Sequence, residues 1–462
     1  MKVLKSILML STLFVLCQAC FKDQDDIIKD ASVVSINDFI WKGMNTFYLY
    51  KSEIPELANS FFTSNDDYSS YLEKFATPEL FFESLRAPQD EFSFLVDDYI
   101  SLEQAFDGIT LNHGMEFGLT FYPDSDIDVF GYVRYILPGT DAERKGLKRG
   151  DIFYSINDTQ LTLDNYRELI GLDSYTIGMA SFDGTSITPN GTSISLTKTQ
   201  YTENPVHITK TLDLNGVKVG YILYNGFTGD FDTQLNDAFG LLKAEGVTEL
   251  VLDVRYNGGG SVTSAIDLSS MITGQFEGQV FTTEEWNEDR QENFGSTNLF
   301  DKSIRTGALI NSLNLSKVYI LTTRSSASAS ELIINGLNPY IDVRTVGTNT
   351  RGKFQASITL YDSENFGRQG ANPNHTYAIQ PLVLKSVNAV GFTDYFEGFA
   401  PDIEIAEDYT NLGILGDPNE RLLKAALNDI QGLKISYSNS TLETIGESKM
   451  ISPAYQRMYK DY

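Results

Sequence analysis

Two residues carry chemistry by type and setting. Ser328 lies in the run Ser326-Ala327-Ser328-Ala329-Ser330-Glu331. Before it, Val318-Tyr319-Ile320-Leu321 reads as a short buried strand; after it, Leu332 to Leu337 reads as a helix that begins within the small residues. A strand turning tightly into a helix exposes a hydroxyl. The unpaired N–H groups of the helix start then face any negative charge that develops there. Serine is a poor nucleophile until a base takes its proton. The chain has three histidines, His113, His207 and His375, and none is near this run. A lysine kept neutral by burial is the other base for serine, and Lys353 follows Ser328 by 25 residues. The plain alternative makes Ser328 a helix cap and Lys353 a solvated loop charge.

Two further stretches bear on this pair. Glu249 to Val254 reads as a strand that ends in Arg255-Tyr256-Asn257-Gly258-Gly259-Gly260. Glycines there let a backbone approach a substrate closely and leave an amide free. A triple glycine alone is weak evidence, because it is usually just a flexible turn. Gly347-Thr348-Asn349-Thr350-Arg351-Gly352-Lys353 satisfies the start of a phosphate-binding loop. Phe354 stands where the magnesium ligand belongs, and Gln355 to Leu360 alternates as a strand where a helix is required, so nucleotide binding is rejected. In such a strand Lys353, Gln355 and Ser357 share a face.

Ser-Ala-Ser-Ala-Ser-Glu, followed by Gly-Lys at this spacing, resembles the S41 family of serine proteases, the carboxy-terminal processing peptidases with a Ser–Lys dyad. The resemblance implies Ser328 as nucleophile and Lys353 as base. The glycine turn is similar to the family's DLRxNxGG element, with Gly258 where proline is frequent. It implies an oxyanion hole from the amides of Gly259 and Ala329, with Gly260 the lesser choice. The family often has glutamine four residues after the lysine; here that position is Ser357, with Gln355 two residues earlier. The third catalytic residue is thus Gln355 or Ser357. Gly398-Phe399-Ala400-Pro401-Asp402 resembles the family's closing GxxPD element. The resemblance implies polypeptide substrates and no metal or organic cofactor.

The elements that must position these residues follow from pattern. The chain reads as an α+β multidomain protein. It comprises a helical N-terminal cap, a PDZ-like β domain, and an α/β S41 peptidase core of ClpP/crotonase-like β-α-β units. At 462 residues several domains are expected. Residues 21–104 are a tether and helical domain, with Phe39, Ile40, Met44, Phe47 and Tyr48 at helical spacing. Residues 105–200 resemble the PDZ domains of bacterial proteases. Gly118-Leu119-Thr120-Phe121 looks like the loop that holds a terminal carboxylate, and Leu163 to Ile170 like the helix lining the peptide groove. The plain alternative is a small β domain without a ligand. Ser174 to Asn190 reads as an irregular excursion or long hairpin. Residues 205–433 form the peptidase core. Leu235, Ala238, Phe239 and Leu242 mark its first helix, and the β-α-β order makes a parallel sheet. Residues 275–310 read as an inserted hairpin or surface excursion. Asp417 with Glu420 has capping-box spacing before a last helix. Residues 434–462 lose hydrophobic pattern and read as a mobile tail.

Composition bounds the partners. Net charge is −27, from 35 Lys and Arg against 62 Asp and Glu. That argues against nucleic acid and anionic membrane surfaces as partners. Residues 1–20 read as a signal peptide: Lys2 and Lys5 precede an apolar run too short to span a bilayer. The run ends at Gln18-Ala19-Cys20, which resembles a lipoprotein signal with Cys20 as the lipidated residue; an ordinary secretory cut is the alternative. Cys17 and Cys20 are the only cysteines, so a processed chain has no disulfide or thiol chemistry. The expected location is the envelope of a Gram-negative-type bacterium, lipid-anchored in the outer membrane on its periplasmic or outer face. The only expected membrane contact is that anchor.

The sequence therefore points to a serine endopeptidase cutting envelope or secreted proteins near their C-termini through an acyl-enzyme. A catalytically silent, lipid-anchored peptide-binding protein is the alternative. Oligomeric state and cleavage rule are not legible.

Overall fold

A computed structural model describes residues 31–433, 442 and 444–460. Cys20, the signal segment 1–20 and most of the tether lie outside the described residues.

The central layer is a six-stranded sheet in the order Val206–Leu214, Val217–Tyr224, Glu249–Asp253, Lys317–Thr322, Asp342–Gly347, Ile403–Glu404. The first pair is antiparallel and the others are parallel. Side chains alternate across each strand. Ile222, Leu250, Leu252, Val318 and Ile320 face one side, where they bury Leu235 and Phe239 of helix Asp232–Ala244 and Leu332 and Ile333 of helix Ala329–Leu337. Tyr221, Leu223, Val251, Tyr319 and Leu321 face the other, against Leu422, Leu423 and Ala426 of helix Arg421–Ile430. A sheet covered on both faces explains the near-continuous apolar strands.

The helical segment shares the first of these cores. Helix Val33–Phe47 starts at Ser32, whose side chain accepts the Ser35 N–H, and buries Ile36, Phe39, Ile40, Met44 and Phe47. Gly43 lets it settle on the core: a Cβ there would lie 2.6 Å from Ile379 Cδ1. Strand Phe94–Val96 pairs with Ala378–Gln380, which stitches the segment down further.

The β domain holds one sheet in the order Met115–Phe121, Val129–Ile136, Ile152–Ile156, Ser174–Phe182, Ile187–Thr197, with helix Tyr166–Gly171 over Phe117, Leu119, Phe153 and Ile156. Ser174–Phe182 and Ile187–Thr197 form the long hairpin. Gly118 to Phe121 lie in the strand Met115–Phe121 rather than in a loop. An ionic network ties this domain to the core. Arg149 Nη2 donates to Glu407 at 2.8 Å, and Arg149 Nη1 donates to the Tyr256 hydroxyl at 2.7 Å. Arg255 pairs with Asp253, Glu407 and Glu420.

Three regions differ from expectation. Residues 275–310 hold the hairpin of the two expected alternatives, but not at the surface: Val280–Trp286 pairs antiparallel with Thr297–Leu299 in a second six-stranded sheet, with Phe281 and Trp286 buried. The central residues of Val280–Trp286, Thr282 to Glu285, are polar on both faces, with Thr282 and Glu284 buried, which conceals the strand. Glu420, not Asp417, caps the last helix by accepting the Leu423 N–H at 2.9 Å. Residues 444–460 are not a loose tail. Thr444–Glu447 extends the β-domain sheet along the edge of Met115–Phe121. Met458–Tyr459 enters the second sheet between Gly260–Ser261 and Gln355–Ser357.

Candidate active site

Ser328 sits between strand Lys317–Thr322 and helix Ala329–Leu337, at the N-cap of the helix. Its φ is +61°, a conformation rare for a residue with a side chain. Such strain persists only where surrounding contacts fix it. Those contacts come from the glycine turn. Ser326 Oγ donates to the Val254 carbonyl at 2.8 Å, and Ser330 Oγ donates to the Asn257 carbonyl at 2.9 Å. The Ser328 turn is thereby sewn to the strand end beside it.

Lys353 approaches from the neighbouring strand end, fully buried. Its Nζ lies 4.9 Å from the centre of the Phe92 ring. Burial first, and then the nearby Arg457 charge, push its amine well below the ordinary lysine value. A lowered pKa leaves more of the amine in the neutral form that can accept a proton. Ser328 Oγ and Lys353 Nζ meet on one atom: both donate to the carbonyl oxygen of Gln456, at 3.1 and 3.0 Å.

Glu331, quoted in the motif but given no role there, organises the pair. Its Oε2 accepts the backbone N–H of Ser328 and that of Lys353, each at 2.8 Å. Its Oε1 accepts Thr350 Oγ1 and the Gly352 N–H, each at 2.6 Å. Desolvation raises its pKa and these bonds oppose the rise.

Gly259 lies against Ser328. Its φ is +108°, and a Cβ there would stand 2.5 Å from Ser328 Cβ. Its amide is not free as expected: it donates to Asn257 Oδ1 at 2.9 Å. Ala329 is the first residue of its helix, so its N–H precedes the intrahelical ladder.

Gln355 and Ser357 are not partners of the amine. Gln355 Nε2 donates to the Tyr50 hydroxyl at 2.7 Å, and Ser357 Oγ donates to Gln380 Oε1 at 2.6 Å. The expectation of a shared face fails for two reasons. Lys353 precedes the strand Gln355–Ser357, and the register shifts between Ala356 and Ser357, which breaks the alternation. In the β domain, Gly118 and Leu119 pair with Glu447 and Gly446. Among the described residues no cluster of three or more His, Cys, Asp or Glu side chains could hold a metal ion.

Residues 218–404 match the model of Peptidase family S41, and residues 35–94 match that of the Peptidase S41 N-terminal domain. The chain belongs to peptidase family S41. It is 26% identical over 322 residues to the carboxyl-terminal-processing protease of Picosynechococcus sp., covering 67% of this chain and 69% of that protein. It is 23% identical over 331 residues to a Staphylococcus aureus protein named "Probable CtpA-like serine protease". That match takes in 71% of this chain but 60% of the staphylococcal one. A solved structure from Bacteroides fragilis NCTC 9343, assigned to the S41 proteases, superposes with a TM-score of 0.67 at 26% identity, over 86% of this chain and 98% of that one. The photosystem II D1 C-terminal processing protease gives 0.50 at 19% identity, over 83% and 95%, a likeness of fold. Family S41 is one of serine peptidases, and the S41 segment 218–404 contains Ser328 and Lys353.

Proposed function

We propose that this S41 chain is a serine endopeptidase whose nucleophile is Ser328 and whose base is Lys353. One observation carries the reading: Ser328 Oγ and Lys353 Nζ hydrogen-bond the same peptide carbonyl in a buried site. Ser328 Oγ attacks a substrate carbonyl carbon while the neutral Lys353 amine takes its proton. The tetrahedral oxyanion faces the amides of Ala329 and Gly259. A substrate must draw the Gly259 N–H away from Asn257, and such a donor is typically worth about 3–4 kcal/mol. The intermediate collapses, the C–N bond breaks, and Lys353 returns the proton to the departing amine. Water then hydrolyses the acyl ester by the same base.

The finer parts of the proposal are these. Residues 105–200 act as a PDZ-like domain that receives extended peptide on the edge of Met115–Phe121. The helical segment acts as a cap. Substrates are envelope or secreted polypeptides cut near their C-termini. Cys20 carries a lipid that anchors the enzyme in the outer membrane of a Gram-negative-type envelope.

A second reading, a peptide holder without turnover, is favoured by the Gly259 amide already being engaged. A serine-directed fluorophosphonate separates the two. Labelling of Ser328, lost in both Ser328→Ala and Lys353→Ala, supports the peptidase; absence of labelling in the wild-type chain overturns it.

A further inference from the structure

Residues 444–460 cross the molecule as two short strands, and each fills a place where another peptide would bind. Thr444–Glu447 adds antiparallel to the open edge of Met115–Phe121. The Glu447 carboxylate is buried there between Arg134 and Ser325; Ser325 Oγ donates to it at 2.8 Å. Met458–Tyr459 runs parallel to both Gly260–Ser261 and Gln355–Ser357, the two strands that flank the dyad. Between them the Gln456 carbonyl sits on Ser328 and Lys353.

The pose is that of an occupant rather than of a substrate. A carbonyl under attack turns its oxygen to the N–H donors that stabilise the oxyanion. Here the Gln456 oxygen points at the nucleophile and base, while the Gly259 amide is held by Asn257. The hydroxyl's proton is thereby spent on the occupant's oxygen.

The segment also opposes the chain in charge. The protein has a net charge of −27, yet residues 444–460 contain Lys449, Arg457 and Lys460 against the single acid Glu447. Each cation has a socket. Lys449 Nζ pairs with Glu203 at 2.9 Å. Arg457 Nη1 donates to the Phe92 carbonyl at 2.5 Å, and its guanidinium lies 3.9 Å from the centre of the Phe94 ring. Lys460 Nζ bonds both oxygens of Glu284, at 2.8 and 2.9 Å. A cavity of about 640 Å³ opens beside this path, lined by Glu116, Glu203 and Gly259 together with Lys449 and Gln456 of the segment.

We infer that residues 444–460 are a built-in competitive ligand of the S41 cleft. The same sockets select extended polypeptides with basic side chains at the places of Lys449, Arg457 and Lys460. This rests on the dyad reading above. Binding by β-strand addition takes affinity from the backbone and selectivity from side-chain sites. A desolvated charge pair discriminates most when its partner is removed.

The test uses the full chain with one engineered protease site within residues 434–441. After nicking and removal of the freed segment, acylation of Ser328 by a serine-directed acylating probe rises by about tenfold or more. A fluorescent peptide of residues 444–460 then binds the nicked chain, read by anisotropy, and restores slow acylation. The same peptide with Lys449, Arg457 and Lys460 replaced by Met binds about tenfold or more weakly. Unchanged acylation after removal, or no binding of the peptide, overturns the ligand; equal binding of both peptides overturns the cationic sockets. Peptide binding with Ser328 unlabelled in every form keeps the ligand and overturns the dyad. Should the nicked chain not stay folded, intact Arg457→Met gives the answer in cis. Faster acylation than wild type supports the inference, and an unchanged rate overturns it.

Discussion

Ser328 and Lys353 hand their backbone N–H groups to a single oxygen, Oε2 of Glu331, each at 2.8 Å. Ser328 and Lys353 are therefore fixed to one another through the main chain, independently of what lies between their side chains. Glu331→Gln removes half of that acceptor set, because an amide nitrogen cannot accept. Buried donors left unpaired cost about 1–3 kcal/mol each. A misplacement of about 1 Å at a reacting centre costs on the order of a hundredfold in rate. The expected result is a lower melting temperature with acylation of Ser328 reduced by about that factor, measured by thermal circular dichroism and probe labelling.

The depressed pKa of Lys353 gives two predictions of opposite kind. As a general base the amine works unprotonated, so acylation rises with pH through its folded value and is flat well below 10.5. Stability follows the proton count. Between the folded value and 10.5 the unfolded chain binds the proton and the native chain does not, so stability rises with pH across that window. Lys353→Met keeps the volume and removes this linkage. It abolishes acylation, raises the melting temperature at neutral pH and flattens the rise toward alkaline pH. A melting temperature below wild type at neutral pH contradicts the neutral, buried amine.

What the sequence discloses and conceals divides along one line. The strand and turn into Ser328, the glycine turn at Gly258 to Gly260 and the helix of Leu235, Phe239 and Leu242 are local patterns with long apolar flanks. They are legible before any coordinates. The strand Val280–Trp286 is concealed by a polar run, Thr282 to Glu285, that falls on both of its faces. Thr444–Glu447 and Met458–Tyr459 are too short to show a period of two. Their placement comes from backbone pairing and from the sockets for Glu447 and Arg457, which exist only once distant strands have assembled. The failure of Gln355 and Ser357 as partners of Lys353 has the same origin. A register shift after Ala356 leaves no mark in residue types. Glu331 was visible as a residue of the motif, but its double acceptance requires that Lys353 be folded against it.

Gly259 offers a sharper test of the site's packing. At φ +108° an L side chain is strained, and its Cβ would fall 2.5 Å from Ser328 Cβ and 2.6 Å from the Arg457 carbonyl oxygen. Gly259→Ala must move the nucleophile, the 444–460 segment or both. The backbone strain costs about 1–3 kcal/mol. Acylation of Ser328 is expected to fall below detection while the folded far-ultraviolet spectrum is retained. Wild-type labelling in this variant contradicts the close approach.

Arg255 tests whether the β domain and the core are held by one network. Its guanidinium is fully buried and pairs with Asp253 at 2.8 Å, Glu420 at 2.7 Å and Glu407 at 3.2 Å. Burial pushes the Glu407 carboxyl up, but the charges of Arg149 and then Arg255 overcome this and hold it down to about 2. A carboxyl lowered in the folded state stabilises above its unfolded value and loses that contribution as pH falls through the folded one. The Glu407 contribution is therefore full above about pH 4.5 and is lost progressively as pH falls from there to about 2. Arg255→Met leaves Asp253 and Glu420 buried without their principal cation, which costs about 3–5 kcal/mol. It also moves the acid transition to higher pH. Urea denaturation at neutral pH measures the first effect and acid titration of the near-ultraviolet signal the second. Because Arg149 reaches Glu407 from the β domain, limited proteolysis of the variant should sever that domain from the core before either is degraded.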